Sequence, residues 1–277
     1  MTEPLKLSQA GLSPTHSVEA VDEYGQPRTL EIAGERPLTV YLDRREIVTL
    51  MTLGSQPEAL ALGYLLNQGL IDDRYRLSAI QVDWEVESAA VTTVQGTAGS
   101  AARLDKRTVT TGCGQGTVFG DMMAQLDELQ LPKRQYRQSM IYRLLAAISA
   151  HNEVYKQAGA VHGCALCEGE KIHYFVEDVG RHNAVDTITG LKWLDGFEPG
   201  EQSVFYTTGR LTSEMVIKVA QLGVPLLLSR SGITRMGLEI ARQVGVTLIG
   251  RAKGRHFLVY HGADTVVFDA IPPVRSS

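Results

Sequence analysis

Cysteine is scarce in this chain of 277 residues: Cys113, Cys164 and Cys167 are the only three. An odd number this small excludes a disulfide-stapled scaffold and fits free thiols in a reducing compartment. A basic excess is missing too. Lys and Arg number 27 against 31 Asp and Glu, which argues against a general nucleic-acid binder and leaves room only for a local basic patch. No stretch approaches the ~18 consecutive apolar residues that would span a bilayer. Residues 1–11 lack the apolar core of a signal peptide. The expected setting is cytoplasmic, with neither nucleic acid nor a membrane among the partners. What is present is ordinary globular material: 44% hydrophobic and 21% charged, enough to bury the core of one large domain or two ordinary ones.

Residues 1–34 are rich in turn formers and charges and read as a loose arm with at most one short strand. From there the patterns sharpen. Residues 37–42 and 46–53 read as two strands about a turn at Asp43 and Arg44. Ser55 and Pro57 open a helix whose apolar face holds Leu60, Leu62, Leu65 and Leu66, and Gly69 ends it. Ile80, Val82, Trp84 and Val86 alternate with polar residues, the period of a strand with one wet face. A helix is predicted over 139–157, with Ile141, Leu144, Leu145, Ile148 and Tyr155 near its buried face and Gly159 as its stop.

Beyond it, strands and helices alternate. Strands are expected at 160–166, 171–176, 203–208, 224–229, 246–250, 256–261 and 265–269, with helices at 181–194, 212–222 and 234–244. Gly223-Val-Pro-Leu-Leu and Gly245-Val-Thr-Leu-Ile end two of these helices alike, each a glycine stop followed by an apolar strand. This alternation predicts an α/β layer with a mostly parallel or mixed sheet. The expected organisation is an arm over 1–34, a small α+β domain over 35–108, a glycine-rich cysteine loop and connector over 109–137, and an α/β domain over 138–277.

Four stretches could carry chemistry. The first is TTGCGQGTVFG at 110–120, where glycines leave the sulfur of Cys113 little covered and offer N–H groups to a thiolate, the reactive form. Arg103, Lys106 and Arg107 lie just upstream. The plain alternative is an idle surface thiol. The second is Cys164-x-x-Cys167, flanked by His162 and His173. A zinc site needs a second ligand pair, and none has the usual spacing. In a strand, residues three apart face opposite ways, so two buried, reduced structural thiols are the favoured reading and no metal is expected. The third is Glu177-Asp178-Val179-Gly180-Arg181-His182-Asn183, where a strand hands over to a helix. It reads either as a solvated turn or, with the loops at Thr208-Gly209-Arg210 and Ser229-Arg230-Ser231-Gly232, as part of an anion pocket at the strand ends. Asp178, Arg181 and His182 are its candidate residues. The fourth is Arg251-Ala252-Lys253-Gly254-Arg255-His256, either an ordinary basic hairpin or a phosphate clamp.

Together these pieces resemble the FdhD family of formate dehydrogenase accessory sulfurtransferases. The matching residues are Thr111-Gly-Cys-Gly, Val161-His-Gly, Glu177-Asp-Val-Gly-Arg-His-Asn-Ala-Val-Asp186, the blocks over 203–250, and the helix Ala59-Leu-Ala-Leu-Gly-Tyr-Leu-Leu-Asn-Gln-Gly-Leu. The likeness runs from about 35 to 259, and the EDVGRHNAVD run is its specific part. The resemblance implies a C-terminal domain of the cytidine-deaminase fold and a homodimer. It implies that sulfane sulfur from a cysteine desulfurase is held as a persulfide on Cys113. The sulfur then passes to molybdenum in bis-molybdopterin guanine dinucleotide before that cofactor enters the catalytic subunit of formate dehydrogenase. By the same resemblance 251–256 is the cofactor-binding segment, and GDP is a fragment ligand for it.

The family loop usually reads Cys-x-x-Cys. Here it reads Cys113-Gly114-Gln115-Gly116, so no resolving thiol stands at the second position. One thiolate suffices to carry a persulfide. The change also leaves open a non-catalytic chaperone that binds the cofactor and docks on a dehydrogenase. A zinc-dependent deaminase is disfavoured: it needs His-x-Glu and a later Pro-Cys-x-x-Cys, whereas His162 is followed two residues on by Cys164 and no proline precedes the cysteine pair.

Overall fold

The structure, a computed structural model, describes residues 4–72, 76–94, 96, 108–109, 116–117, 126 and 129–272. In chain order these form β1 (Lys6–Leu7), β2 (Thr15–Val21), β3 (Pro27–Ala33), β4 (Arg36–Leu42), β5 (Arg45–Thr52), α1 (Pro57–Asn67), β6 (Leu77–Asp83), β7 (Ser88–Thr93), β8 (Thr108–Val109) and β9 (Gly116–Thr117). There follow β10 (Tyr136–Arg137), α2 (Gln138–His151), α3 (Glu153–Ala158), β11 (His162–Glu168), β12 (Lys171–Asp178), α4 (Arg181–Asp195), β13 (Ser203–Thr207), α5 (Ser213–Gln221), β14 (Leu226–Ser229), α6 (Arg235–Val244), β15 (Thr247–Lys253), β16 (His256–His261) and β17 (Val266–Val267). The class is α/β with mixed sheets. Two compact units result, and the chain passes between them more than once: the first takes 1–122, 153–161 and 177–196, the second the remainder.

The first unit is built on a five-stranded sheet in the order β1-β6-β7-β4-β5. Leu38, Val40 and Leu42 alternate inward from β4, and Ile80 and Val82 from β6, against Leu60, Leu62 and Leu65 of α1. Helix α1 is buried on every side, with Leu66 the only residue not fully covered. A helix apolar all round needs neighbours on more than one face, and α4 supplies the second: α1 and α4 pack closely along their lengths. The alternation at 80–86 stops earlier than its pattern suggests. The chain turns after Asp83 through Glu87 at φ 50°, and Val86 is exposed. The region read as a loose arm holds three strands, β1 paired with β6 and a full antiparallel ribbon of β2 and β3.

The second unit holds a six-stranded sheet in the order β12-β11-β13-β14-β15-β16. Strands β13, β14 and β15 are parallel neighbours, with α5 and α6 as the intervening helices; β11 and β16 flank them antiparallel. Strands β13 and β14 are buried along their whole length, as a parallel sheet covered on both faces requires. The glycine stop at Gly245 adopts φ 79°, and its N–H closes on the Ala241 carbonyl, the left-handed helix end that favours glycine. Two expectations are corrected here. The helix expected over 139–157 breaks at Asn152, because the carboxylate of Glu177 takes the N–H groups of Val154 and Tyr155 at 2.9 Å and so starts a new helix; Tyr155 is exposed rather than buried. The last strand does not finish the large sheet. Val266–Val267 pairs instead with Tyr136–Arg137, and Asp269 behind it accepts from the Ser139 N–H at 2.9 Å and hydroxyl at 2.8 Å, capping α2 from 130 residues away.

Candidate functional site

The stretch most specific in sequence, 177–186, is a buried fastening and not a solvated turn. Asp178 is 4% exposed. Its carboxylate accepts from the Thr52 hydroxyl (2.5 Å), the Leu53 N–H (3.1 Å), the Gly180 N–H (3.1 Å) and the Asn183 amide (2.8 Å). Burial pushes its pKa up, against the pull of those donors downward. Asn183 also donates to the Met51 carbonyl at 2.6 Å, so the start of α4 is tied to the end of β5. One turn further, Asp186 is fully buried and accepts from Asn67 of α1 at 2.6 Å, and Asn67 also donates to Thr189 at 2.9 Å. Arg181 and His182, expected as pocket residues, are buried in the first turn of α4.

The crossing of α1 and α4 explains those positions. A Cβ on Gly63 would overlap the Asp186 carbonyl and lie 2.7 Å from the Gly190 N–H nitrogen; a Cβ on Gly190 would overlap the Ala59 carbonyl. Backbones approach this closely only where side chains are absent. A signal for this was present in the sequence: Asn183, Asp186 and Gly190 fall at i, i+3, i+7, and Gly63 and Asn67 at i, i+4, each on one helix face.

In the second unit two of the three strand-end loops are joined. Leu211 bridges to Ile233, the Leu211 N–H donates to the Gly232 carbonyl at 3.0 Å, and the Thr234 N–H donates back to Leu211 at 3.0 Å. The Ser229 hydroxyl donates to the Gly209 carbonyl at 2.6 Å and accepts from the Ser231 N–H at 2.8 Å. Thr234 caps α6 by accepting from the Gly237 N–H at 3.1 Å. The third loop, at 177–183, belongs to the first unit.

The basic segment 251–256 reaches the same loops. The Arg251 N–H donates to the Ser231 carbonyl at 2.8 Å. Arg251 sits at φ 51°, with the register shifted between Gly250 and Lys253, so the strand is not extended there and its alternation is interrupted. Lys253 pairs with His256 across a two-residue turn of Gly254 (φ 59°) and Arg255. Arg251, Lys253, Arg255 and His256 are exposed, whereas Ala252 is buried in the core. The Arg255 guanidinium lies 5.4 Å over the Tyr142 ring and donates to the Ile271 carbonyl at 3.4 Å. Three cationic side chains and one histidine are therefore open to an anion, with Arg255 already steadied by an aromatic face.

Cys164 and Cys167 are free and buried in β11. The Cys164 thiol donates to the Thr207 hydroxyl at 3.2 Å. Burial raises the Cys167 thiol to about 12, which leaves almost no thiolate at neutral pH. In the folded protein both should resist alkylation by iodoacetamide, and both should react once denaturant is added; peptide mass mapping reads the two states. Rapid native labelling of either would show that β11 is open. His162 Nδ1 lies 3.3 Å from the Thr208 hydroxyl. Among the described residues no three His, Cys, Asp or Glu side chains come together as a metal site, and no helix is long and apolar enough to cross a membrane. Cys113 lies outside the described residues; on either side of it Val109 and Gly116 pair antiparallel.

The model of the FdhD/NarQ family matches residues 33–267. This chain belongs to the FdhD/NarQ family. The sulfur carrier protein FdhD of Listeria monocytogenes is 29% identical over 238 residues, covering 85% of this chain and 91% of its own. The sulfur carrier protein FdhD of Bacillus subtilis is 27% identical over 227 residues, covering 82% and 86%. A crystal structure described as that of a formate dehydrogenase accessory protein from Desulfotalea psychrophila superposes with a TM-score of 0.71 at 26% identity, covering 91% of this chain and 98% of its own. The FdhD/NarQ match spans Cys113, the 177–186 fastening and the basic hairpin alike.

Proposed function

We propose that this protein is a cytoplasmic sulfur carrier that serves formate dehydrogenase. Its place in the FdhD/NarQ family, over 33–267, is the observation that carries the reading. Cys113 is the sulfur-bearing residue: its thiolate attacks the outer sulfur of a persulfide on a cysteine desulfurase, the S–S bond there breaks, and the donor thiolate leaves. The sulfur is destined for the molybdenum of bis-molybdopterin guanine dinucleotide, bound as cargo, before that cofactor enters the catalytic subunit. The two thiols of β11 support Cys113 in this role, since both are buried and the Cys167 thiol is almost wholly protonated at neutral pH, so that neither is placed to act as a nucleophile. We further propose a homodimer and a cytidine-deaminase-like layering of the second unit.

Incubation with a cysteine desulfurase and cysteine, followed by intact-mass analysis, tests this directly. The chain should gain sulfur on Cys113, and Cys113→Ala should abolish the gain and leave the melting curve unchanged. Undiminished loading of that variant would end the assignment. The absence of a second loop cysteine at Gly116 favours one alternative, a chaperone that binds the cofactor and carries no sulfur; a chain that never loads but still binds GDP would establish it.

The segment 251–256 is proposed to hold the guanine-nucleotide end of the cofactor. Its exposed cations and their link to the Ser231 loop support this. Charge-assisted hydrogen bonds contribute about 1.5–3 kcal/mol each. Replacing Arg251 and Arg255 together by Ala should therefore weaken GDP binding by roughly two orders of magnitude or more, with sulfur loading unchanged. Equal GDP affinity by calorimetry would place the clamp elsewhere.

A further inference from the structure

The ribbon of β2 and β3 plays no part in the proposed sulfur chemistry, and its construction is unusual. Its two strands pair in full register from Thr15 with Ala33 to Val21 with Pro27, without a bulge. Among the described residues no third strand joins them. The turn at the tip is firm: Asp22 accepts from the N–H groups of Tyr24 (3.0 Å) and Gln26 (2.9 Å) and from the Arg28 guanidinium (2.9 Å). The Gln26 N–H and the Arg28 guanidinium hold the Asp22 carboxyl below its ordinary value.

The two edges differ. Helix α3 lies against β3, and β3 begins with a proline. On β2 the Asp22 N–H donates to the Gln26 carbonyl, and the Gly34 N–H donates to Pro14. Antiparallel alternation then turns the N–H and C=O groups of Ser17, Glu19 and Val21 outward. Edge strands are normally protected by lysine, proline or a bulge. Strand β2 (THSVEAV) has no lysine, proline or bulge; its one carboxylate, Glu19, is a charge that a strand bringing a cation would meet.

Its two faces specify what would add there. One carries Val18, Ala20, Leu30 and Ile32 between His16 at one end and Arg28 at the other, and of these Leu30 is 51% and Ile32 47% exposed. The other carries Glu19 and Glu31 as diagonal neighbours, and neither has a cationic partner among the described residues. The one arginine of the ribbon, Arg28, is taken by Asp22 at 2.9 Å. A second copy is a poor occupant: antiparallel pairing of two β2 strands along their whole length sets the two Glu19 carboxylates diagonal to each other.

We propose that the outer edge of β2 is a docking edge for an extended segment of a partner protein whose residues alternate between basic and apolar. The segment adds as a third strand, its N–H and C=O groups pairing with Ser17, Glu19 and Val21. Its apolar residues extend the Val18 and Leu30 face, and its basic residues meet Glu19 and Glu31.

The test uses the full chain and synthetic peptides of about ten residues, near the upper length of an ordinary strand. One alternates Lys with Val and its control alternates Glu with Val. Hydrogen exchange of the backbone amides is followed by NMR. The Lys–Val peptide should slow exchange at Ser17, Glu19 and Val21 in a saturable, salt-sensitive way, and the Glu–Val peptide should not. Glu19→Pro removes an outward N–H and should abolish the protection. Glu19→Lys should reverse the preference between the two peptides. Absence of protection, equal protection by both peptides, or protection surviving Glu19→Pro would overturn the proposal. Slow exchange at β2 without peptide, lost on dilution, would also overturn it, by showing a second copy in place.

Discussion

Gly63→Ala should cost this protein most of its stability, and Gly190→Ala should do the same. Helix propensity alone points the other way: Ala is better than Gly in a helix interior by about 1 kcal/mol. Both glycines lie inside helices, Gly63 in α1 and Gly190 in α4. The crossing reverses the sign. The added methyl would occupy the space of a main-chain carbonyl on the opposing helix, and a backbone group cannot swing aside as the end of a side chain can. The helices would have to separate, opening α1 along the face that buries Asn67 and Asp186. Overpacked cores lose about 1–3 kcal/mol when side chains can adjust; here the loss should exceed that range. Denaturant midpoints read the effect. Gly232→Ala is the control, because nothing lies within 4 Å of its added Cβ, and its change should stay within about 0.5 kcal/mol. A wild-type midpoint for Gly63→Ala would mean that the two helices do not pack as described.

Asp178→Ala should be nearly as damaging. The change removes the acceptor of four donors and provides no substitute. Each buried group left unsatisfied costs about 1–3 kcal/mol, against a total stability of about 5–15 kcal/mol for a typical domain. The Thr52 hydroxyl can rotate away; the N–H groups of Leu53 and Gly180 cannot. A loss of at least about 3 kcal/mol is expected. Asp178→Asn, which keeps one acceptor oxygen, should lose less. Its deficit should also change with pH. Burial raises the pKa of Asp178 in the folded state, so the stability linked to its proton is present below the unfolded value and is lost as pH rises through the folded one. The wild type declines over that window while the Asn variant does not, so the gap between them should narrow with rising pH. A gap that widens would show that the four donors outweigh burial.

Asp178 marks where sequence reading stops. Asp178, Arg181 and His182 carry charge or potential charge, and polarity is ordinarily a surface property. Nothing local to 177–186 reveals that Thr52, Leu53, Met51 and Asn67, more than a hundred residues away in the chain, supply the partners. The basic hairpin was legible as a hairpin, and its exposed cations stand where the pattern put them. The break in the strand at Arg251 was not legible, because the left-handed residue there donates to the Ser231 carbonyl of a neighbouring loop.

By itself the sequence determined what depends on near neighbours. The alternation of apolar strands and capped helices over 203–250 follows from periodicity and glycine stops, which act within a few residues. The buried thiols of β11 follow from an apolar strand, and family membership from the EDVGRHNAVD run. Only the tertiary structure decided what depends on distant groups. It returned 153–161 and 177–196 to the first unit. It ended α2 at His151, where the Glu177 carboxylate captures the next N–H groups. It sent Val266–Val267 to Tyr136–Arg137 and away from the large sheet. A backbone hydrogen bond has the same chemistry whichever strand offers it. The choice of partner is therefore made by the packing of the whole unit, which no short stretch of sequence contains.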